Sequence, residues 1–501
     1  MPRKATSLPL NLPAPGSGVN LYRWLYDALR KAILAGHLQP GARLPATRDL
    51  ANAYGLSRAT IVTAFDQLKS EGYVDGRPGS GTYVSAVLPE DLLQVRKART
   101  EKNLPHPAFR LSEYARRLQR FRAPRPRTMR AFRPNQPALD QFPTTLWAQV
   151  AARRLRRVSA NLLAGGEALG YRPLRQAVAD YLNTSRGVQC NADQVLILSG
   201  AQEGFDRTAR IFLNPGQAVW MEDPGYPGAV AVFRALGAKI HPVPVDAEGL
   251  NMDEGRARET VPRLIYVTPA HQFPTGVTMS LRRRLQLLEW ARHARATIFE
   301  DDYDSEYRYS GRPIPALQGM DRSRSVIFAG SFSAVLFPAL RLGYLVVPSD
   351  LVDVFAAAAS VSTHHPPLLE QAILCDFITE GHFARHIRRM RELYAERLLV
   401  LLEAARSRLA GMLEISQVEA GLQTLGWLRG RGAERIAQLA RERDVEIVPL
   451  KQYAWGRAPR NGIVLGFAAV DPRELRRGVE ELARIFDKSR PSEKSGPSPR
   501  E

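Results

Sequence analysis

Three stretches of this chain carry side chains suited to binding a small charged ligand. Residues 199–202, Ser-Gly-Ala-Gln, join an apolar run to the start of a helical pattern, and the backbone N–H groups of such a junction suit a phosphate. Ser331, Ser333 and Arg341 offer two hydroxyls and a guanidinium, which also suit phosphate oxygens. The alternative is that the serines form a turn and the arginine is a surface charge; their joint spacing favours the phosphate site.

The third stretch is an acid-rich run at residues 300–309. It fits a solvated loop, a metal site or a buried carboxylate at the end of a strand. No accompanying set of His, Cys and carboxylate residues has metal-ligand spacing, so the sequence disfavours a metal. The chain has only two cysteines, Cys190 and Cys375, which suggest no disulfide framework and fit a reducing cytoplasm.

Strands and helices alternate from about residue 140 onward. An amphipathic pattern predicts a helix over 281–294, and apolar runs predict strands at 195–198, 264–267, 297–299, 325–329 and 342–347. Such alternation is typical of an α/β domain with a mostly parallel sheet. Because ligands of these sheets bind at the carboxyl ends of the strands, the three stretches are expected to meet there.

Residues 19–85 predict three helices followed by a hairpin. Thr47 can cap a short second helix, and Ser57 can cap a third, whose outer face shows Arg58, Ala59 and Thr60. Two short strands then flank a Gly- and Pro-rich turn at 75–81. This order is that of a winged helix-turn-helix, a fold that places its third helix in the major groove of DNA.

Charge supports a polyanion as the partner of this segment. The formal net charge is +20, and residues 1–135 hold 23 Lys and Arg against 9 Asp and Glu. Arg58 could bind guanine or phosphate, the hydroxyls of Ser57 and Thr60 suit phosphate, and Arg77 adds charge at the hairpin. Pattern and charge alone leave two alternatives open, a DNA-binding domain and a three-helix interaction module with a solvated basic surface.

Composition divides the chain into four segments. We expect a winged helix-turn-helix at 15–86, a basic Pro- and Arg-rich linker at 87–135, an α/β domain at 136–487 and a disordered tail at 488–501. No long apolar run follows Met1, and no stretch of about 18 apolar residues could span a membrane. The sequence therefore predicts no signal peptide and no membrane partner.

Residues 331–344, beginning Ser-Phe-Ser-Ala, closely resemble the cofactor loop of fold-type I aminotransferases, which are enzymes of pyridoxal 5'-phosphate (PLP). In that family a lysine follows Ser-Phe-Ser and holds PLP as a Schiff base, whereas this chain has Ala334. The resemblance extends over about residues 130–487. It implies a large PLP-dependent transferase-like α/β domain with a smaller C-terminal α+β subdomain. The cofactor-binding positions it implies are Ala201, Gln202, Tyr226, His271, Asp301, Tyr303, Ser331, Ser333 and Arg341.

Asp301 and Tyr303 have specific roles under this resemblance. Asp301 would keep the pyridine nitrogen protonated, and Tyr303 would bond the phenolic oxygen. Tyr226 would lay its ring on the pyridine, and His271 lies in the turn that contacts the phenolic oxygen. By itself, a histidine such as His271 is more often a structural hydrogen-bonding residue than a ligand. Two arginines, Arg457 and Arg460, could clamp a substrate carboxylate, although a surface charge is the simpler explanation.

Ala334 removes the amine nucleophile that Schiff-base chemistry needs. Between residues 140 and 487 the only lysines are Lys239 and Lys451, and neither lies in the cofactor loop. Three hypotheses remain open: a pocket that no longer binds PLP, a pocket that holds PLP or a PLP derivative without a covalent bond, and a deliberate substitution of the lysine. All three predict no catalytic residue and no enzyme activity; a working aminotransferase with an appended head is the alternative.

Residues 44–51, 56–61 and 71–84 resemble a GntR-type DNA-binding domain. A GntR-type head joined to an aminotransferase-like body is the arrangement of MocR-type regulators, so the chain is identified as a member of that subgroup. This implies a transcriptional regulator that senses PLP or a PLP–amino compound and binds an operator with repeated half-sites as a head-to-tail homodimer. The implied DNA contacts are Arg48, Ser57, Arg58, Ala59, Thr60, Arg77, Gly79 and Gly81.

Overall fold

The chain forms two compact units, residues 1–109 and 110–501. The computed structural model describes residues 12, 20–77, 80–88, 109–119, 121, 129–258, 260–309, 314–430 and 432–488. The predicted tail therefore lies outside the described residues, except for Lys488, which ends the last helix.

The first unit has the three helices and the hairpin that its sequence predicts. Its elements are α1 (Leu21–Leu34), α2 (Thr47–Tyr54), α3 (Arg58–Ser70), β1 (Val74–Arg77) and β2 (Gly81–Val84). Strands β1 and β2 pair antiparallel, and Arg43 adds one backbone bridge to Tyr83. A core of buried side chains joins the helices to the hairpin; among its members are Leu25, Leu29, Ile33, Leu50, Ile61, Phe65 and Leu68. The winged helix-turn-helix prediction is confirmed.

The helix ends of this unit agree with their predicted signals at one position and differ at another. Ser57 caps α3, since its Oγ accepts a hydrogen bond from the backbone N–H of Thr60 at 3.1 Å. Thr47, in contrast, is the first residue of α2, and the cap is Ala46, which makes no side-chain bond. The predicted Thr47 cap is therefore wrong, because the helix begins one residue earlier than that cap requires.

The second unit contains the remaining elements. Its helices are α4 (Glu113–Leu118), α5 (Thr144–Arg156), α6 (Ala160–Leu163), α7 (Arg172–Ser185), α8 (Ala201–Phe212), α9 (Pro227–Ala235), α10 (Met252–Arg256), α11 (Leu281–Ala294), α12 (Leu317–Met320), α13 (Phe332–Val335), α14 (Val352–Ser360), α15 (Leu368–Thr379), α16 (His382–Arg408), α17 (Ala433–Arg441) and α18 (Pro472–Lys488). Its strands are β3 (Val195–Leu198), β4 (Ala218–Asp223), β5 (Lys239–Asp246), β6 (Gly249–Leu250), β7 (Leu264–Val267), β8 (Thr297–Asp302), β9 (Val326–Ser331), β10 (Gly343–Val346), β11 (Leu413–Ile415), β12 (Gln423–Leu428), β13 (Val448–Pro449) and β14 (Gly462–Gly466).

Eight of these strands form one sheet, in the order β3-β10-β9-β8-β7-β4-β5-β6. The five central strands from β9 to β5 are parallel, as predicted. Strand β10 runs antiparallel to both of its neighbours. It follows β9 after a connection too short for the crossover that a parallel partner needs. Because helices cover the sheet, strands such as β3 and β7 are buried along their whole length.

Strands β11 to β14 form a second, antiparallel sheet, packed with α17 and α18 into the smaller C-terminal subdomain. The predicted boundary at residue 135 is wrong, because Ala131 and Phe132 are fully buried and bridge Val445 and Gly466 of this subdomain. The neighbouring sequence is basic and rich in proline, so the composition did not indicate that these two residues belong to the core. Much of the predicted linker lies outside the described residues.

Candidate ligand site and DNA-binding surface

The carboxyl ends of β4, β7 and β8 meet at one edge of the large sheet and bring the predicted site residues together. Parallel pairing aligns these three ends. Phe273 makes edge-to-face contacts with the rings of Tyr226 at 5.3 Å and Tyr303 at 5.8 Å between centroids. The Tyr303 hydroxyl lies 3.1 Å from Nδ1 of His271. We call this group of residues, with the phosphate-side residues described below, the pocket.

Asp301 is a buried carboxylate with one oxygen satisfied and one not. Tyr266 donates its hydroxyl hydrogen to Oδ2 at 2.6 Å. Oδ1 is buried and has no hydrogen-bond partner among the described residues. Burial raises the pKa of Asp301 from 3.8 to about 7. Since an unsatisfied buried carboxylate oxygen is costly, Oδ1 is suited to a ligand that brings an N–H donor, such as a protonated pyridine nitrogen.

His271 is held from several sides. Its Nδ1 lies 2.9 Å from Oδ1 of Asp304, and its Nε2 is buried without a partner among the described residues. A Cβ on Gly421 would overlap the imidazole ring, so the backbone closes over it. Burial raises the pKa of Tyr303 well above 10 and keeps its hydroxyl protonated. His271 therefore positions the Tyr303 hydroxyl, whichever of the two contacts a ligand.

Strand register explains why the phosphate-side residues converge. Gly343 of β10 pairs with Ser331 on one side and with Leu198 on the other. Arg341 consequently lies against Gly200 and donates from Nη2 to the carbonyl of Ser199 at 2.8 Å. Gly200 has a φ of +100°, which favours glycine at this turn. The strand pairing thus brings the Arg341 guanidinium to the turn before α8 and places Ser331 on the strand next to Gly343.

Gln202 and Ser331 also make local contacts at this edge. Gln202 donates from Nε2 to the carbonyl of Gly228 at 2.9 Å, which ties α8 to the loop of Tyr226. Ser331 Oγ accepts the backbone N–H of Ala334 at 3.3 Å and keeps its own hydrogen available. Ala201 is the first residue of α8, where backbone N–H groups are not used within the helix.

Ser333 differs from its predicted role. Its hydroxyl donates to the carbonyl of Leu342 at 3.3 Å and accepts the N–H of Leu342 at 3.1 Å. The residue is buried, and its single hydroxyl hydrogen is already used. We therefore correct the prediction: Ser333 braces the loop between Ala334 and Arg341 rather than donating to a phosphate.

Neither lysine of the α/β region is placed to substitute for Ala334. Lys239 begins β5 opposite Ala218, the first residue of β4, whereas the pocket lies beyond Asp223 at the other end of that strand. Five residues of strand separate the two ends, about 16 Å. Lys451 is mostly exposed, with Nζ 3.7 Å from Glu434.

Four pocket-forming residues were missed by the sequence analysis: Tyr266, Glu222, Asp223 and Gln272. Glu222 is fully buried, accepts from the Thr268 hydroxyl at 2.6 Å and from Gln272 at 3.1 Å, and has a pKa raised by burial to about 7. Asp223 accepts the backbone N–H groups of Trp455 and Gly456 at 2.9 and 3.0 Å, which links the smaller subdomain to the pocket. A polar residue within or just after an apolar strand was the available signal.

The structure gives less support to the predicted carboxylate clamp and to a metal site. Arg460 stacks on Trp427, with 4.7 Å between its guanidinium carbon and the ring centroid, and lies 3.8 Å from Glu414, as a surface charge does. Among the described residues, no group of three or more His, Cys, Asp and Glu side chains could hold a metal ion. In the same residues, no helix has the length and apolarity needed to cross a membrane.

Several predicted DNA contacts of the first unit are exposed. Arg48 and Arg58 are exposed at the starts of α2 and α3, and Ala59 follows on the outer face of α3. Arg77 stacks on Tyr83, with 4.8 Å between its guanidinium carbon and the ring centroid. Gly79 lies outside the described residues.

Two further features concern the hydroxyls at the start of α3 and the β1–β2 hairpin, which is the wing of the winged helix-turn-helix. The hydroxyls of Ser57 and Thr60 lie 2.8 Å apart and hydrogen-bond to each other, so they contribute to the helix cap in addition to any contact with a partner. Gly81 has a φ of +115°, and a Cβ there would lie 2.8 Å from Nε of Arg43. Arg43 is an exposed cation beside the wing that the sequence analysis missed.

Comparison with known proteins agrees with both units. Residues 132–482 match the model of "Aminotransferase class I and II", and residues 21–84 match "Bacterial regulatory proteins, gntR family". The chain is 41% identical over 473 residues to the probable rhizopine catabolism regulatory protein MocR of Rhizobium meliloti, covering 93% of this chain and 94% of that protein. It is 29% identical to the pyridoxine biosynthesis regulator PdxR of Corynebacterium glutamicum, covering 92% of this chain and 94% of the relative.

A solved structure of an aminotransferase is similar to much of this chain. The α-aminoadipate aminotransferase LysN of Thermus thermophilus, complexed with N-(5'-phosphopyridoxyl)-L-leucine, has a TM-score of 0.66 and 29% identity. The match covers 71% of this chain and 92% of that one. The second unit therefore has the fold of this enzyme class, which implies a PLP-binding pocket.

Proposed function

Because this chain belongs to the MocR-type subgroup of GntR-family transcriptional regulators, which join a DNA-binding head to a class I and II aminotransferase domain, we propose that its pocket is a sensor without catalytic turnover. The ligand is PLP, or PLP joined to an amino compound. The observation that carries the proposal is Oδ1 of Asp301, which is buried and has no hydrogen-bond partner among the described residues. In the same pocket, the position of the Schiff-base lysine is occupied by Ala334.

The residues present fit PLP. Asp301 would hold the pyridine nitrogen, Tyr303 the phenolic oxygen, and Tyr226 the face of the ring. Ser331, Arg341 and the backbone of residues 201–202 would hold the phosphate. When bound, PLP supplies an aldehyde that condenses with amines and an electron-poor ring.

Turnover is not expected, because Ala334 offers no group that could attack the aldehyde or carry a proton at the substrate carbon. Lys239 lies at the far end of its strand, and Lys451 is beside Glu434. The chain therefore binds, orients and releases its ligand. Occupancy of the pocket would change the affinity for DNA, which requires two global states that the ligand distinguishes.

DNA with repeated half-sites is the proposed partner of the head, bound by a head-to-tail homodimer. Two copies related by symmetry would place two recognition helices on two half-sites. A DNA partner places this activity in the cytoplasm, in keeping with two free cysteines, Cys190 and Cys375.

Mass spectrometry after borohydride treatment tests the proposal. The protein is incubated with PLP, treated with borohydride, denatured and weighed, in parallel with Ala334→Lys. We expect PLP to raise the melting temperature of the wild type but to leave no added mass, whereas Ala334→Lys retains a pyridoxyl group. Added mass on wild-type Lys239 or Lys451, or conversion of an amino acid to its keto acid, would support the aminotransferase alternative instead. The absence of any PLP binding would contradict the sensor.

A further inference from the structure

The outer face of α3 combines a cation with an apolar strip. Arg58 lies in the first turn, and Ala59 and Val62 follow at a spacing of three residues on the same exposed face. Val62 is 44% exposed. Valine has a low helix propensity, and an exposed valine side chain is not stabilised by burial. The apolar residues that hold α3 to the unit, Ile61, Ala64, Phe65 and Leu68, lie on the opposite face.

The hydroxyls at the cap and in the first turns of this helix each make a local hydrogen bond. Ser57 and Thr60 pair at 2.8 Å, and Thr63 donates to the carbonyl of Ala59 at 2.9 Å. The Ser57–Thr60 pair uses one of its two hydroxyl hydrogens, so beside that pair the groups that can face a partner near the start of α3 are the Arg58 guanidinium and the methyl groups of Ala59 and Val62. Asp66 ends this strip one turn later.

We propose that α3 reads the 5-methyl groups of thymine through Val62 and Ala59, next to a guanine bound by Arg58. This inference rests on the DNA-binding function of the head and adds the base class that it selects. In the major groove, thymine is the only base with a methyl group, and small apolar side chains contact it. Arginine, in turn, pairs with the two acceptors on the guanine edge.

Replacement of thymine by deoxyuridine tests this directly, because it removes the methyl group and keeps base pairing. Full-length protein first selects duplexes from a random-sequence pool, and the enriched duplex is then made with each thymine replaced in turn. We expect one or two positions at which the wild type binds the deoxyuridine duplex about fourfold more weakly, the worth of one buried methyl.

Val62→Ala should lose most of this preference at one position and keep the preference for guanine. The matched control is Val354→Ala, since Val354 on α14 is also 44% exposed but belongs to the second unit; it should behave as the wild type. Equal wild-type affinity for thymine and deoxyuridine at every position would overturn the inference, and so would a Val62→Ala protein that retains the full preference. If no duplex is enriched, DNA binding itself fails, and the two failures are thereby distinguished.

Discussion

The head and the pocket satisfy their polar groups in opposite ways. At the cap and in the first turns of α3 the hydroxyls of Ser57, Thr60 and Thr63 make local hydrogen bonds, and the side chains proposed to face DNA, such as Arg58 and Val62, are exposed. In the pocket, Asp301 Oδ1 and His271 Nε2 are buried without partners among the described residues. A buried, unsatisfied polar group costs about 1–3 kcal/mol, which a suitable ligand can recover. The α3 surface thus presents exposed groups, whereas the pocket holds two buried polar atoms that a small molecule could satisfy.

Gly421→Ala should show the largest difference between the two regions. The added methyl would overlap the His271 ring, and the φ of +90° disfavours alanine as well. We expect the second unit to lose about 2–4 kcal/mol of unfolding free energy, from overpacking and backbone strain together. Thermal unfolding monitored by circular dichroism measures the loss.

Gly411→Ala is the matched control, because Gly411 has a φ of +76° but open space around it. It should cost about 1 kcal/mol, the backbone term alone. Equal losses in the two variants would show that closure over His271 does not constrain the pocket.

Asp301→Asn should weaken PLP binding about 10- to 100-fold, because the ring nitrogen loses a charged acceptor. Titration of PLP against the protein's intrinsic fluorescence measures this change. DNA binding without PLP should be unaltered. Unchanged PLP affinity would remove Asp301 from the cofactor site.

The same variant should raise the stability of the ligand-free protein at high pH. Burial raises the pKa of Asp301 from 3.8 to about 7, so its ionised form is disfavoured by folding. Stability is then lost as the pH rises from about 4 through about 7. We expect the melting temperature of Asp301→Asn to exceed that of the wild type by more at pH 8 than at pH 5, because the burial penalty grows between about pH 4 and pH 7; a constant difference at both pH values would contradict this assignment.

Arg58→Ala should reduce affinity for the selected DNA about tenfold and relax the preference for guanine, since an arginine–guanine pair contributes about 1–3 kcal/mol. Fluorescence anisotropy with a labelled duplex measures it. The affinity for PLP should stay at the wild-type value. A uniform loss on all duplexes would indicate a phosphate contact in place of base reading.

Arg77→Ala should have the smallest effect, about threefold in affinity, and should lower the slope of log affinity against log salt by about 1. Arg460→Ala is the matched control, because Arg460 also stacks on an aromatic ring, but in the second unit. An equal change in both variants would mean that overall charge, rather than the wing, determines the effect.

Much of this architecture follows from local patterns. Apolar runs predicted strands β3, β7, β8, β9 and β10 within a few residues, and the Ser57 cap and the turn at Gly200 were equally visible. The assignment of Ala131 and Phe132 to the linker failed because two buried residues inside a basic, proline-rich segment carry no periodic signal. Thr47 failed as a cap because helix starts are defined by backbone angles that several residue types can adopt.

The sequence by itself determined the residue types of the site, the presence of alanine where a Schiff-base lysine is expected, and the division into a DNA-binding head and an aminotransferase-like body. Only the tertiary structure decided which polar groups remain available. Strand register brought Arg341 to Ser199, and Leu342 took the hydrogen of Ser333. Tyr266 used one oxygen of Asp301 and left the other for a ligand. Hydrogen-bond satisfaction depends on neighbours distant in sequence, so no local pattern could show it.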